Sequence, residues 1–377
     1  MAELFVGLMS GTSLDGVDGV LVEFSGAGGR PSIVVLAHVH RPFTLEFARE
    51  LLSLNASGSD ELHRAALNGN ELALRYADVV SDLLTIAATT ATEVTAIGAH
   101  GQTVRHRPGE FDGIGYTLQL NNPALLAEKT GIDVVADFRS RDVAAGGQGA
   151  PLVPAFHRAA FGSPTETVAV LNIGGISNLS VLAQDGATSG FDCGPGNALM
   201  DHWHATHFDE PYDRDGAWAS SGLVDPNLMN TMQGEPYFAL PAPKSTGRDL
   251  FNPAWLTRCL QRTAGGTALR PQDVQASLTE LTAWCCEQSA LRQASAATRL
   301  LVCGGGAYNV HLMRRLAVRL SWLDVETTAR YGLPVDQVEA VAFAWLAQAC
   351  VHRRSGNVPA ATGAAGDRVL GAIYPAG

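Results

Sequence analysis

Leu4-Phe5-Val6-Gly7-Leu8-Met9-Ser10-Gly11-Thr12-Ser13-Leu14-Asp15-Gly16-Val17-Asp18 reads as an apolar strand that enters a polar, glycine-bearing turn and leaves it as a second strand. The second strand runs from Val17 to Phe24, and Ile33 to His40 reads as a third. Within the turn, Gly11 and Gly16 let the backbone bend and approach a ligand closely. Ser10, Thr12 and Ser13 bring hydroxyls, and successive N–H groups can form an anion nest. Asp15 and Asp18 are candidates to hold Mg²⁺ directly or through water. No lysine follows the glycines, so this is not a Walker A loop. Taken alone, the stretch also fits a polar hairpin with no ligand.

The same pattern returns in the second half. Thr167 to Ile173 is a predicted strand, Gly174-Gly175 a turn, and Ile176 to Leu182 a returning strand. A chain of 377 residues is about twice the size that one hydrophobic core serves comfortably. The repeat is therefore read as two α/β domains of related topology, residues 1–163 and 164–377. The extreme C-terminus, with a short strand at Val369 to Tyr374, is allowed to pack back on the first domain. Long helices are expected at Glu61 to Ala88, Gln272 to Ala296 and Val335 to Val351.

Composition narrows the function. With 46% hydrophobic and 17% charged residues the chain suits a large globular core. A net charge of −11 with no basic run argues against nucleic acid and anionic membrane as partners. The start lacks the cationic and apolar pattern of a secretion signal, and no apolar stretch is long enough to span a bilayer. Six cysteines without a C-x-x-C pair fit free thiols in a reducing cytoplasm.

Four further segments can carry chemistry. Leu300 to Cys303 runs as a buried strand into Gly304-Gly305-Gly306 and on to Asn309, a place where a nucleoside can lie against bare backbone or where the chain merely turns tightly. Gly190-Phe191-Asp192-Cys193-Gly194-Pro195-Gly196-Asn197 puts Asp192 in a predicted turn before a helix, rigid enough for a general base; an Asx-turn capped by Asn197 fits as well. His202, His204 and His207 read as surface or interface histidines rather than a metal site, since only His204 and His207 share a helix face. Lys244-Ser245-Thr246-Gly247-Arg248-Asp249 offers cations to a phosphate, or is a solvated loop.

Together these pieces resemble the actin/hexokinase/heat-shock ATPase superfamily. Within it, Gly7 to Asp18, His100-Gly101-Gln102-Thr103, Val135 to Arg139, Gly146 to Leu152, Asn172 to Gly175, Gly190 to Asn197, Pro243 to Arg248 and Thr362-Gly363-Ala364 resemble, in order, the anhydro-N-acetylmuramic acid kinase family. The resemblance covers essentially the whole chain. It implies two similar domains of actin/hexokinase-like, ribonuclease H-like topology with an interdomain ATP cleft. It also implies a cytoplasmic, ATP- and Mg²⁺-dependent enzyme of cell-wall recycling, which opens the bridge of 1,6-anhydro-N-acetylmuramic acid with water and phosphorylates the freed 6-oxygen. Its partners would be the amino sugar and ATP, and a homodimer is compatible with it.

By that resemblance Asp192 is the base that activates water. Gly11, Thr12, Ser13, Leu14, Asp15, Gly16, Val17 and Asp18 form the main phosphate loop, faced by Gly174 and Gly175. Gly304, Gly305, Gly306 and Asn309 line the nucleoside, and His100, Gln102, Arg139 and Glu339 meet the sugar. Met9-Ser10 and Asn172 stand where the superfamily carries Asp, so the metal ligands stay unassigned. Asn121 stands in place of an expected glycine near the sugar residues, and Cys193 in place of Thr. The competing expectations are a kinase of another sugar or carboxylate on the same fold, a non-enzymatic actin- or chaperone-like ATPase switch, and metal-dependent hydrolysis at the histidines.

Overall fold

The computed structural model describes residues 2–11, 13–26, 32–247, 250–263 and 269–377. Its strands are β1 (Glu3–Met9), β2 (Gly16–Ser25), β3 (Ser32–Pro42), β4 (Val94–Ala99), β5 (Gln102–Pro108), β6 (Gly115–Leu120), β7 (Val134–Ala136), β8 (Thr167–Ile173), β9 (Ile176–Leu182), β10 (Thr188–Pro195), β11 (Ala297–Cys303), β12 (Asp324–Thr327) and β13 (Ala372–Tyr374). The chain divides into two compact units, one of Met1–Ala160 with Gln337–Gly377 and one of Phe161–Asp336.

The first unit is built on a sheet ordered β13-β7-β4-β1-β2-β3. Antiparallel β1-β2-β3 comes from the two hairpin connections, and β4 and β7 add in parallel after helical crossovers. One face is packed by the helix Glu61–Ile86 through Leu72, Tyr76, Val79 and Leu83, against Val6, Leu8, Leu21 and Ile97. Against the other lies the helix Val338–Val351, whose residues are buried nearly all round. Its backbone sits directly on the strands: a Cβ at Gly7 would come within 1.9 Å of the Ala340 carbonyl oxygen.

The second unit repeats the plan. Its sheet is ordered β10-β9-β8-β11-β12, with β8-β9-β10 antiparallel and β11 and β12 parallel. Counted within each sheet, both run third, second, first, fourth, fifth strand with the same senses, and β13 adds a sixth to the first. That shared order is the actin/hexokinase-like, ribonuclease H-like arrangement. The helix Pro271–Gln293 is the central covering element, with Val274, Leu278, Leu281, Cys285 and Cys286 in the core.

Three expectations are corrected. The second unit ends at Asp336, so the stretch that returns to the first unit begins at Gln337 and is longer than the extreme C-terminus allowed for, and the first unit's opening segment ends at Ala160 rather than at residue 163. The cause is the close seat of Val338–Val351 on β1 and β4, followed by the antiparallel pairing of β13 with β7. Asp192 lies in strand β10 and not in a turn, because Gly190 and Gly194 are carried in a buried strand paired with β9. The short β5 and β12, both largely polar, also join sheets.

Candidate active site

In the first unit the β1–β2 connection is a tight turn. The Leu14 N–H donates to the Gly11 carbonyl at 3.2 Å, and Leu14 itself is left-handed at φ 60°. Ser13 Oγ donates to Asp15 Oδ1 at 2.7 Å. Thr12 lies outside the described residues, as do Arg248 and Asp249. Gly16, Val17 and Asp18 already belong to β2, and the Val17 side chain is in the core. The Asp18 carboxylate faces β3, 3.0 Å from His40 Nδ1 and 3.5 Å from His38 Nε2. Burial pushes its pKa up, but hydrogen bonds and charge from these two histidines outweigh that and hold it below the usual value. Gly11, Ser13, Leu14 and Asp15 therefore make the turn, while Asp18 is held by histidines.

The turn is tied to the predicted sugar residues. Buried Ser10 Oγ donates to the Gly101 carbonyl at 3.2 Å and sits 2.9 Å from the Tyr76 hydroxyl. Gln102 Nε2 donates to the Gly11 carbonyl at 3.1 Å, and the His100 N–H donates to Leu8. Arg139 then aims Nε and Nη2 at a single atom, His100 Nε2, at 3.1 and 2.9 Å. A guanidinium only donates, so Nε2 is the acceptor and the imidazole proton sits on Nδ1. Burial first, and the Arg139 charge second, hold His100 well below its ordinary value, so the ring is neutral. The Phe343 ring packs on it at 4.6 Å, and Glu339 lies one helical turn earlier on the same face as Phe343. His100, Gln102, Arg139 and the first turn thus form one connected group.

Four buried polar atoms in or beside this group have no hydrogen-bond partner among the described residues: His100 Nδ1, Gln102 Oε1 and both amide atoms of Asn121. Asn121 abuts Gly101, its Cβ 3.3 Å from where a Gly101 Cβ would stand. A buried amide left unpaired costs about 1–3 kcal/mol, so these groups suit a polar ligand or ordered water.

In the second unit the sheet aligns a polar row. Asn172 on β8 is paired with Asn178 on β9, which is paired with Asp192 on β10, so the three side chains share one face. The register slips just after Asp192, a bulge of the kind that re-aims a side chain. Asp192 is only 8% exposed and is fixed from several sides. Its Oδ2 accepts the Thr246 N–H at 2.9 Å, its own N–H donates to the Lys244 carbonyl at 3.1 Å, and its carbonyl accepts the Tyr237 hydroxyl at 2.7 Å. Lys244 Nζ lies over the Tyr237 ring and donates to the Tyr237 carbonyl. The segment read as a phosphate-touching or solvated loop is, in its described part, the brace of Asp192. Only the neighbouring Gly-Pro signal hinted at such rigidity, and nothing local in the sequence names Tyr237.

Gly174, Gly175 and the triple glycine come together in this unit. The Gly174 and Gly175 carbonyls accept the N–H groups of Gly196, Asn197 and Ala198, which open the helix Ala198–Ala205. Asn197 caps nothing with its side chain; its Nδ2 donates to the Ile173 carbonyl at 3.2 Å. Gly304 is left-handed at φ 79°, and a Cβ there would stand 2.4 Å from Asn172 Oδ1. The triple glycine therefore lets β11 turn against the end of β8. Asn309 Oδ1 caps the helix Val310–Arg319 by accepting the Leu312 N–H at 3.0 Å.

The histidine cluster is structural. His204 is buried, not on the surface, and packs with Phe208 and Trp218; His207 packs on Trp203 and Trp218. Among the described residues no group of three or more His, Cys, Asp or Glu converges as a metal cage. Mg²⁺ in phosphoryl transfer keeps several waters and takes one or two carboxylates besides the phosphates, and Asp15 in the first turn fits that smaller demand. No described helix is long and apolar enough to cross a membrane.

Comparison with known proteins places the chain in a family. A family model described as anhydro-N-acetylmuramic acid kinase matches residues 3–376. The anhydro-N-acetylmuramic acid kinase of Variovorax paradoxus is 61% identical over 379 residues, covering 99% of both chains. That of Albidiferax ferrireducens is 57% identical over 100% of both chains, and that of Cupriavidus metallidurans 58% identical over 99% of this chain and 98% of its own. Among solved structures, component A of the (R)-2-hydroxyglutaryl-CoA dehydratase of Acidaminococcus fermentans aligns at 12% identity and TM-score 0.46, covering 91% of this chain and 96% of that one. That likeness is distant, and the strand order stands without it. With a match that begins in β1 and ends beyond β13, the chain belongs to the anhydro-N-acetylmuramic acid kinase family.

Proposed function

We propose that this kinase uses ATP and water to convert 1,6-anhydro-N-acetylmuramic acid to N-acetylmuramic acid 6-phosphate and ADP, with Asp192 as general base. The Asp192 carboxylate takes a proton from water as the water oxygen bonds to the anomeric carbon. The bond from that carbon to the bridging oxygen breaks, and the freed 6-oxygen bonds to the γ-phosphorus. The bond from the γ-phosphorus to the β,γ-bridging oxygen then breaks and ADP leaves. No covalent enzyme intermediate is needed, so the protein's work is positioning and charge stabilisation.

The N–H groups of the Gly11–Asp15 turn, together with Gly174 and Gly175, serve the phosphates. Mg²⁺, held beside Asp15 and the phosphates, would neutralise charge developing on the transferred group. The Gly304–Gly306 backbone and Asn309 serve the nucleoside. Arg139, His100, Gln102 and Glu339 serve the sugar, with Arg139 the cation suited to its lactyl carboxylate. A cytoplasmic setting fits the six free, buried cysteines.

One observation carries the reading: a nearly buried carboxylate, Asp192, whose Oδ2 accepts the Thr246 N–H while Tyr237 and Lys244 hold the backbone beneath it. The test compares ADP release with the anhydro sugar and with N-acetylmuramic acid, which lacks the bridge. Release with a phosphorylated reducing sugar as product is expected only from the bridged compound. Equal turnover of unbridged sugars would instead make this a general sugar kinase.

A further inference from the structure

We propose that Thr362 and Asn357, close to the C-terminus, are positioning residues for Arg139 and His100, acting through the buried carboxylate of Asp142. The proposal rests on reading Arg139 and His100 as sugar-binding residues. Asp142 is 0% exposed and has no ion-pair partner among the described residues. Its charge is met entirely by neutral donors. Oδ1 accepts Asn357 Nδ2 and Thr362 Oγ1, each at 2.8 Å, and Oδ2 accepts the Gly149 N–H at 2.8 Å. A buried carboxylate without a cation depends on each such donor.

The backbone repeats the tie. The Gln148 N–H donates to the Thr362 carbonyl at 2.7 Å, and the Ala365 N–H donates to the Ala145 carbonyl at 2.9 Å. The loop of residues 145–149 is therefore gripped by the tail through side chains and main chain together. Gly149 passes the constraint on. Its N–H is held by Asp142 while its carbonyl accepts Arg139 Nη1 at 2.8 Å. That bond leaves Nε and Nη2 of the same planar guanidinium pointed at His100 Nε2. Thr362, Asp142, Gly149, Arg139 and His100 make one unbroken polar chain inside the first unit.

A knot that only stabilised the fold would leave the His100 environment unchanged in any variant that folds. The full-length protein is labelled with ¹⁵N-histidine, and the His100 Nε2 resonance is identified by its loss in His100→Gln. Thr362→Val should shift that resonance and raise the sugar KM roughly three- to tenfold, leaving the KM for ATP within about twofold. Thr362→Ser, which keeps the hydroxyl, should restore both. Asn357→Ala, which like Thr362→Val leaves Asp142 two donors, serves where Thr362→Val does not fold. An unmoved resonance in a folded variant overturns the proposal. Separately, an unchanged sugar KM in Arg139→Lys removes the sugar-binding role while the resonance still decides the positioning link.

Discussion

At the scale of single residues the account turns on how Asp192 is held. A free aspartate on a strand samples several rotamers, but here Thr246 fixes one carboxylate oxygen and Tyr237 fixes the backbone beneath it. Tyr237→Phe removes the hydroxyl and leaves the packed ring. We expect kcat to fall about tenfold with both KM values nearly unchanged, since the base loses aim rather than the enzyme losing substrate contacts. Steady-state kinetics on the folded variant decides it; a rise in KM at constant kcat would assign Tyr237 to binding instead. The sequence pointed to Asp192 through the glycine and proline around it. Its brace was not legible, because Tyr237, Lys244 and Thr246 reach it only after β10 pairs with β9 and the intervening chain folds back.

At the scale of elements, the glycines and proline of β10 read as a turn, whereas alternation and glycine turns made the first three strands of the first unit and the first two of the second readable. Their apolar runs are bounded by polar turns, and burial enforces one register. The missed strands had no such signal. Gln102–Pro108 is polar and pairs only with β6, and Asp324–Thr327 is a short polar edge strand. The helix Val338–Val351 was legible, but its partner sheet was not. That choice is made by two glycines in other strands: a Cβ at Gly98 would stand 2.1 Å from the Phe343 carbonyl oxygen. Gly98→Ala should lower stability by about 2–4 kcal/mol, beyond the usual range of glycine-to-alanine effects. Gly58→Ala, where the nearest neighbour is a flexible Arg64 side-chain nitrogen at 3.4 Å, is the matched control and should change stability by under about 1 kcal/mol. Urea unfolding of both variants checks the difference.

At the scale of the whole molecule, one strand order serves twice with unequal equipment. The first unit carries the serine-rich turn together with His100, Gln102 and Arg139, and the second carries the Asn172-Asn178-Asp192 row and the triple glycine. The repeat was visible in the sequence, and so was the family, because the motifs run in order from Gly7 to Gly363. The domain limits were legible only in part: the return of the extreme C-terminus was allowed for, but chain order does not show that the helix Val338–Val351 goes with it. The central claim is that Asp192 directs water, and not the phosphate, to the anomeric carbon. The most direct measurement is turnover of the anhydro sugar with ATP in ¹⁸O-labelled water, read by mass spectrometry of the product. The account predicts label on the anomeric oxygen, unlabelled phosphate on the 6-oxygen, and no product from Asp192→Asn. Label in the phosphate with an unlabelled anomeric oxygen, or undiminished turnover by Asp192→Asn, would contradict it.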